Sequence, residues 1–397
     1  MSARQTSDGA VRAKTRVCVF GSGSFGTALG TLVARNGYTV TLLTRREEVA
    51  VSVNTKHVNP QHLSECRLPP NLSATTSAEE ALRGASFIVH SVPVQSTESF
   101  LAPLRDLVPP GVPFISTSKG LHSETLETMN ELVPRVLGRP QPMAFLSGPT
   151  FAKELVDSQP SGAVMASEDL RVAEACAAIF HCQSLRCYTT DDVIGVEVGG
   201  ALKNVYALAA GTIEGMGLGV NPMAFMVTRA CSEMSCLAVA MGARAHTMAG
   251  LAGIGDLMLT CMGGASRNKA VGIKIGQGET LDTVLQNRSQ SLAGVAEGVA
   301  TAPAAVKLAR KLGVDTPVAD AVAAVISQSM GAREAMMSMM QKPPRGDFSA
   351  DGHRAETAME SKKGSLLGLP PVAWAALAAA EAAALACLAV WAARRQK

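Results

Sequence analysis

The sequence predicts a doubly wound α/β sheet of parallel strands, followed by a domain built almost entirely from helices. Short apolar runs alternate with helical stretches through the first half of the 397-residue chain, which is typical of a parallel sheet. From about Ile194 to Met340 the strand signals fade, and Ala, Leu, Met and Val recur at helical spacing. This length is sufficient for two or three domains.

The composition excludes several classes of protein. Hydrophobic residues make up 47% of the chain and charged residues 17%, which is ample material for a packed core. The 36 basic and 33 acidic residues leave a net charge of +3, so we expect no nucleic-acid partner. The nine cysteines include no CxxC pair, which predicts reduced thiols and neither a disulfide framework nor a metal site.

The first ordered element is predicted to be a strand over Arg16–Phe20 that leads directly into a glycine-rich turn and a helix. Gly21, Gly23 and Gly26 supply a tight turn, an open approach to the backbone and close contact between strand and helix. A second strand over Tyr38–Leu43 completes a βαβ unit. The turn is therefore predicted to hold the pyrophosphate of NAD or NADP at the helix N-terminus, and a plain glycine turn is the alternative.

Four further apolar runs predict more strands of the same sheet. These runs cover residues 87–92, 114–117, 143–146 and 163–166. In a doubly wound sheet, ligands bind outside the carboxyl ends of the strands. Polar residues that directly follow a strand are therefore candidates for a site.

The residues at the end of the second strand bear on which dinucleotide is bound. An acid at this position commonly hydrogen-bonds the ribose 2′-hydroxyl of NAD, whereas this chain has Thr44, Arg45 and Arg46. Two guanidinium groups suit stacking on adenine or a 2′-phosphate, so NADP is allowed alongside NAD. Arg46 is equally well explained as a solvent-facing side chain.

Two lysines, Lys119 and Lys203, occur next to or within apolar segments, where a charged side chain is unusual. Lys119 directly follows the strand at 114–117, where an anionic substrate or a nicotinamide would bind, and a solvated loop charge is the alternative. Lys203 lies in an apolar helix, where an ammonium group needs a substrate or a carboxylate beside it and where burial lowers its pKa. A snorkelling side chain is the alternative there. Asp256, with Thr260 on the same helical face, is the expected partner of Lys203.

Two further segments carry polar groups that suit an anionic substrate. Ser266 is predicted to cap a helix, which places Arg267 and Asn268 in a first turn that suits phosphate. Arginine binds phosphate as a two-pronged fork. Gly148 and Thr150, which precede another helix, offer exposed backbone and a hydroxyl group.

At these residues the sequence resembles the NAD(P)-dependent sn-glycerol-3-phosphate dehydrogenase family, in its bacterial-type branch. The resemblance extends from about Arg16 to Met340 and rests on the motifs GSGSFGTA, TSKG, SGPTFAKE, GALKNV, GIGDL, SRN and EG. It implies a Rossmann domain joined to an all-helical domain like that of 6-phosphogluconate dehydrogenase. The implied reaction is the reversible reduction of dihydroxyacetone phosphate to sn-glycerol 3-phosphate, which supplies phospholipid synthesis or balances NADH.

Residue by residue, the resemblance implies a site shared by substrate and cofactor. The implied catalytic residues are Lys203, as proton donor and acceptor at the C2 oxygen, Lys119 and Asp256. The implied substrate contacts are Lys119, Gly148, Thr150, Lys203, Asn204, Asp256, Thr260, Ser266, Arg267 and Asn268. With the glycine turn included, the cofactor contacts are Gly21, Gly23, Ser24, Phe25, Gly26, Arg45, Lys119, Ala152, Arg267, Val295 and Glu297.

The tail lies outside the family pattern. Val372–Ala393 is a 22-residue stretch with a single charge, Glu381, and the two tryptophans of the chain, Trp374 and Trp391, stand near its ends. At about 1.5 Å per residue, a helix of this length would span a bilayer core of about 30 Å. Interfacial tryptophans favour a membrane anchor, whereas the alanine content and the glutamate favour a helix packed on the protein body.

The predicted organisation has five parts. These are a disordered leader over residues 1–15, a Rossmann domain over 16–193, a helical substrate domain over 194–340, a linker over 341–371 and the apolar helix over 372–393. We expect a cytoplasmic homodimer, tethered to a membrane if the apolar helix spans a bilayer. A tail-anchored protein that senses NAD(P)H without catalysis is the alternative function.

Overall fold

An eight-stranded sheet forms the first half of the chain. The computed structural model describes residues 11–289 and 296–341, with only the helical backbone for 287–289. The strands are β1 (Arg16–Phe20), β2 (Thr39–Leu43), β3 (Leu72–Thr75), β4 (Ala85–His90), β5 (Phe114–Ser116), β6 (Met143–Ser147), β7 (Ser161–Ala166) and β8 (Leu185–Thr190). They lie in the order β3-β2-β1-β4-β5-β6-β7-β8. Neighbouring strands are parallel except β6 and β7, which are antiparallel.

Helices cover both faces of this sheet. They are α1 (Ser24–Arg35), α2 (Glu47–Lys56), α3 (Ala78–Leu82), α4 (Val94–Leu101), α5 (Met129–Leu137), α6 (Ala152–Val156) and α7 (Leu170–Phe180). Successive residues of β1 show why both faces need cover. Val17 and Val19 belong to one buried cluster, whereas Cys18 and Phe20 belong to another on the opposite face. A central strand of this kind is apolar throughout because neither of its faces meets water.

The second half is helical as far as the structure describes it. Its helices are α8 (Val193–Gly215), α9 (Val220–Ala240), α10 (Ala245–Met248), α11 (Asp256–Met262), α12 (Arg267–Gly276), α13 (Leu281–Ser289), α14 (Glu297–Leu312), α15 (Pro317–Ile326) and α16 (Ala332–Met340). The carboxylate of Asp192 accepts a hydrogen bond from the Gly195 N–H (3.1 Å) and caps α8. A π-helical turn over Leu251–Gly255 precedes α11 and ends directly before Asp256.

Among the residues that the structure describes, two helices of the second half have the length and hydropathy of a membrane span. They are α8 and α9, and their most apolar windows are 83% and 44% buried inside the fold. The apolar residues of α8 are accounted for by the core that forms around this helix. Those of α9 are only partly covered, and Val220 and Phe225 on this helix are 81% and 52% exposed.

The predicted doubly wound sheet and the helical second half are confirmed, with two corrections to the sheet. The sequence did not predict β3 and β8, which are the two edges of the sheet. Edge strands pair on one side only, and these two lack a continuous apolar run, since β8 has mostly exposed or half-buried residues. The sheet is also not wholly parallel, because the connection between β6 and β7 holds only the short α6 and β7 returns antiparallel to β6.

Some predictions fall on residues that the structure does not describe. The apolar helix predicted over 372–393 and nearly all of the linker over 341–371 lie outside the described residues, as do the first ten residues of the leader. The last described helix, α16, ends at Met340.

Candidate active site

The glycine turn between β1 and α1 has the geometry that a pyrophosphate needs. Gly21 adopts a φ of +97°, and a Cβ at this position would lie 2.8 Å from the carbonyl oxygen of Ser91. A Cβ on Gly26 would collide with the backbone of Gly21. A Cβ on Gly23, by contrast, would meet no atom within 4 Å. The backbone is therefore tightly packed on its inner side and open on its outer side, and these residues fit a dinucleotide phosphate at the N-terminus of α1.

A cleft of about 1180 Å³ extends from this turn to the helical half. Nearly all the predicted site residues line it. Those are Gly21, Gly23, Ser24, Phe25, Gly26, Arg45, Lys119, Thr150, Ala152, Lys203, Asn204, Thr260, Ser266, Arg267, Asn268 and Glu297. Gly148 and Asp256 are not among the lining residues, and Val295 lies outside the described residues. The structure thus brings together groups that are far apart in the sequence.

Asp256 lies behind the cleft wall and holds two lysines. Its side chain is fully buried, and its two carboxylate oxygens are divided between them. Lys203 Nζ donates to Oδ1, and Lys119 Nζ donates to Oδ2 at 2.6 Å. The predicted Lys203–Asp256 pair is therefore confirmed, and Lys119 joins it. The side chains of Lys119 and Lys203 are only 12% and 10% exposed, so neither is the solvated or snorkelling lysine that the sequence also allowed.

Burial and charge shift the pKa values of this cluster in opposite directions. Burial lowers the pKa of the Lys203 ammonium to about 8, because desolvation outweighs the attraction of Asp256 and Lys119 adds repulsion. Burial tends to raise the pKa of Asp256, but the two lysines outweigh it and hold that pKa below its ordinary value. Asp256 therefore stays a carboxylate, and with both lysines protonated the cluster has one excess positive charge. Such a cluster suits an anion or a developing alkoxide.

Asparagine side chains continue the network from Lys119 to the start of α14. Asn204 Nδ2 donates to the Lys119 carbonyl oxygen (3.4 Å), and Asn268 Nδ2 donates to Asn204 Oδ1 (3.0 Å). Asn268 Oδ1 in turn accepts from the Gly298 N–H (2.9 Å). These bonds connect α8, α12 and the start of α14 to the loop that carries Lys119.

The predicted phosphate segment forms a helix N-terminus at the cleft. Ser266 Oγ accepts from the Lys269 N–H (3.2 Å), so the predicted cap of α12 is confirmed. Arg267 is the first residue of this helix and is exposed toward the cleft. Burial raises the pKa of Glu297, and the nearby Arg267 opposes that shift. The helix terminus and the guanidinium together can bind a dianionic group.

The segment before α6 contributes less directly than its sequence suggests. Gly148 has a φ of +134°, and a Cβ there would press against the backbone of β7. Thr150 lines the cleft, but its hydroxyl donates to the Gly148 carbonyl oxygen at 3.3 Å. We conclude that Gly148 shapes the turn that places Thr150 and Ala152 at the cleft.

Sequence reasoning missed the wall that the loop between α2 and β3 provides. His62 and Leu63 of this loop line the cleft, and His62 Nδ1 lies 3.2 Å from Ser24 Oγ. Burial lowers the pKa of His62, and Arg267 and Arg46 lower it further. Arg46 also lines the cleft and is exposed, so both interpretations of it stay open. The loop has no periodicity, so the only available signal was the cluster of polar residues at 59–62.

Comparison with known proteins agrees with the fold. Family models described as the N-terminus and the C-terminus of NAD-dependent glycerol-3-phosphate dehydrogenase match residues 16–173 and 192–337. A glycerol-3-phosphate dehydrogenase [NAD(+)], chloroplastic, from Oryza sativa subsp. japonica is 46% identical over 343 residues, which are 86% of this chain and 77% of the relative. A glycerol-3-phosphate dehydrogenase [NAD(P)+] from Desulfovibrio desulfuricans is 42% identical over 333 residues, 84% of this chain and 98% of the relative.

Solved structures give the same result. The crystal structure of glycerol-3-phosphate dehydrogenase from Coxiella burnetii matches with a TM-score of 0.78 at 29% identity, over 83% of this chain and all of that one. The glycerol-3-phosphate dehydrogenase of Saccharomyces cerevisiae matches with a TM-score of 0.70 at 26% identity, over 83% of this chain and 99% of that one. The resemblance predicted from the motifs is thereby confirmed, and the chain belongs to the NAD(P)-dependent glycerol-3-phosphate dehydrogenase family.

Proposed function

We propose that this protein catalyses the reversible reduction of dihydroxyacetone phosphate to sn-glycerol 3-phosphate with NADH or NADPH, and that Lys203 transfers the proton. The buried cluster of Lys119, Asp256 and Lys203 beside the dinucleotide cleft is the observation that carries this proposal. A protein that only senses NAD(P)H needs no proton donor and no phosphate site. No observation favours that alternative.

Lys203 is the group whose chemistry suits the proton transfer. When bound, the nicotinamide supplies the hydride that reaches C2 of the ketone. The C2 oxygen gains an electron pair in that step and takes a proton from Lys203 Nζ. Because the pKa of Lys203 is lowered to about 8, the ammonium is present at pH 7 and releases its proton readily. In the reverse direction the neutral amine accepts the proton from the hydroxyl group.

Asp256 and Lys119 prepare Lys203 for this role. Asp256 does not exchange the proton in this scheme, because the two lysines keep its pKa low. Its carboxylate instead fixes both Nζ atoms in one place, so that neither lysine reorients during turnover. Lys119 adds the second positive charge that stabilises negative charge on the C2 oxygen.

Arg267 and the N-terminus of α12 are the groups we assign to the substrate phosphate. A guanidinium forms two parallel hydrogen bonds to phosphate oxygens, and the helix terminus adds N–H donors and a favourable dipole. Asn204 and Asn268 fix the distance between this site and Lys203. A ketone without a phosphate group would lose this anchor.

The experiment that tests the function compares substrates and cofactors on the purified protein. Oxidation of NADH and of NADPH is followed at 340 nm with dihydroxyacetone phosphate and, separately, with unphosphorylated dihydroxyacetone. We expect turnover with the phosphorylated ketone and little with the other. Equal rates with both ketones would contradict the phosphate site, and binding of NAD(P)H without turnover would contradict the enzymatic function.

We also propose that the enzyme is a cytosolic homodimer attached to a membrane through Val372–Ala393. The uncovered apolar residues of α9 support dimerisation, and the length and flanking tryptophans of the tail support attachment. Light scattering of the purified protein measures the dimer. Fractionation of cells tests the anchor: the full chain is expected in the carbonate-washed membrane pellet, and a chain ending at residue 371 in the supernatant. A full chain in the supernatant would contradict attachment.

A further inference from the structure

We infer that Asn59 is a positioning residue for the dinucleotide site, which it builds by tying the glycine turn to the loop between α2 and β3. This inference rests on the proposed function, because it assigns a residue to the binding of NAD(P)H. Asn59 does not line the cleft. It acts through the two segments that do.

The side chain of Asn59 is fully buried and uses every hydrogen-bonding position that its amide offers. Nδ2 donates to the carbonyl oxygen of Ser22 (2.9 Å) and to Thr27 Oγ1 (2.8 Å). Oδ1 accepts from the N–H groups of Gln61 (3.1 Å) and His62 (3.2 Å). An exchange of the amide oxygen and nitrogen would set an acceptor against the Ser22 carbonyl oxygen on one side and donors against the N–H groups of Gln61 and His62 on the other. The amide therefore has one orientation, and it links two backbone segments rigidly.

The first of these segments is the glycine turn itself. Ser22 stands between Gly21 and Gly23, and its carbonyl oxygen accepts from Asn59 and also from Thr27 Oγ1 at 3.2 Å. Two donors therefore satisfy an oxygen whose partial negative charge would repel a pyrophosphate if it turned toward the cleft. Asn59 thereby keeps the turn in the conformation that receives an anion.

The second segment is the outer wall of the cleft. His62 and Leu63 both line the cleft, and Leu63 adopts a φ of +59°, a conformation that a branched side chain rarely takes without support. The hydrogen bonds that the N–H groups of Gln61 and His62, just before Leu63, donate to Asn59 Oδ1 provide that support. The contact between His62 and Ser24 closes the wall against the first turn of α1.

A purely structural role is the competing explanation, and the chain offers a matched control for it. Asn71 Nδ2 donates to the carbonyl oxygens of Ala34 (2.8 Å) and Tyr38 (2.7 Å). Ala34 lies in the last turn of α1 and Tyr38 directly precedes β2, so both acceptors are at the end of the strands opposite the cleft. Replacing either asparagine by aspartate introduces the same change: a carboxylate oxygen faces a carbonyl oxygen. Only Asn59→Asp makes that change beside the glycine turn.

The experiment measures the Kd of NADH by fluorescence titration, the steady-state constants and the thermal midpoint for the wild type, Asn59→Asp and Asn71→Asp. We expect Asn59→Asp to raise the Kd of NADH at least about tenfold, while kcat at saturating NADH and the KM of dihydroxyacetone phosphate change less than about twofold. Asn71→Asp is expected to lower the thermal midpoint and leave the Kd of NADH within about twofold of the wild type.

Three other results would overturn the inference. One is an unchanged Kd of NADH in a folded Asn59→Asp protein, and another is an equal rise in Kd for both variants. If Asn59→Asp does not fold, Thr27→Val decides, because it removes one hydroxyl from the same network; we expect about a threefold rise in Kd, and no rise overturns the inference. A wild-type protein that does not bind NAD(P)H would instead contradict the proposed function, and the inference with it.

Discussion

The two ends of the cleft obtain their binding groups in different ways. At the sheet, the glycine turn offers backbone N–H groups, and its residues lie within one short stretch of sequence. At the other end, the charged cluster consists of the side chains of Lys119, from the loop after β5, and of Lys203 and Asp256, from α8 and α11. The glycine turn thus depends on local backbone geometry, whereas the charged cluster depends on how the helical half packs against the sheet. Substitutions at the cluster should therefore affect chemistry and stability, and leave dinucleotide binding largely intact.

Removing the proposed proton donor, Lys203, tests this contrast most severely. Lys203→Met keeps the length of the side chain and deletes the ammonium, so we expect kcat to fall about a thousandfold. The Kd of NADH should stay within about twofold, because the glycine turn is untouched. Steady-state assays and fluorescence titration measure the two quantities. Lys274→Met, which breaks an exposed ion pair with Glu279, is the control and should leave both unchanged. A Lys203→Met protein with normal kcat would refute the assignment.

Neutralising the central carboxylate is expected to have the next largest effect. Asp256→Asn leaves Lys119 and Lys203 buried beside each other without a counter-charge. We expect kcat to fall about a hundredfold and the free energy of unfolding to fall by about 3–5 kcal/mol. Urea denaturation and initial rates measure these changes. If stability stayed at the wild-type level, Asp256 would not be the group that makes the buried charges tolerable.

Replacing Arg267 tests the proposed phosphate site at the N-terminus of α12. Arg267→Ala is expected to raise the KM of dihydroxyacetone phosphate at least about tenfold, which is the loss of a charge-assisted hydrogen bond, with a smaller effect on kcat. The matched control is Arg333→Ala, an exposed arginine in the first turn of α16. An unchanged KM in Arg267→Ala would assign the phosphate to other groups.

The smallest expected effect is the pH dependence of the two directions. In the proposed mechanism, reduction uses protonated Lys203 and oxidation uses the neutral amine. With a pKa of about 8 in the free enzyme, kcat/KM for reduction should fall about twofold between pH 7 and pH 8, whereas kcat/KM for oxidation should rise over the same interval. Initial rates at limiting substrate in both directions measure these slopes. Profiles that moved in the same direction would exclude a single group serving as both acid and base.

The difference between the two ends of the cleft also explains which parts of the site could be predicted from the sequence. The glycine turn was predictable because its glycines are adjacent and a strand and helix flank them. The pairing of Lys203 with Asp256 was predictable because neither charge is tolerated alone in apolar sequence. That Lys119 shares the same carboxylate was not, since it depends on where the loop after β5 lies relative to α11. Asn59 and His62 were missed because their roles arise from a loop without periodicity, and β3 and β8 because edge strands lack a continuous apolar run.

The reversal of direction between β6 and β7 determines how far along the sheet Lys203 lies. Because β7 and β8 both run opposite to the strands that end at the cleft, the chain leaves β8 at the far end of the sheet, and α8 starts there. Ten residues of helix rise about 15 Å, nearly the length of a five-residue strand at about 3.3 Å per residue. Lys203, ten residues after Val193, therefore arrives level with the strand ends, where Gly200 meets Ser147. The length of the strands thus matches the length of helix between Val193 and Lys203. An insertion or deletion between Val193 and Lys203 would move the ammonium group away from the cleft.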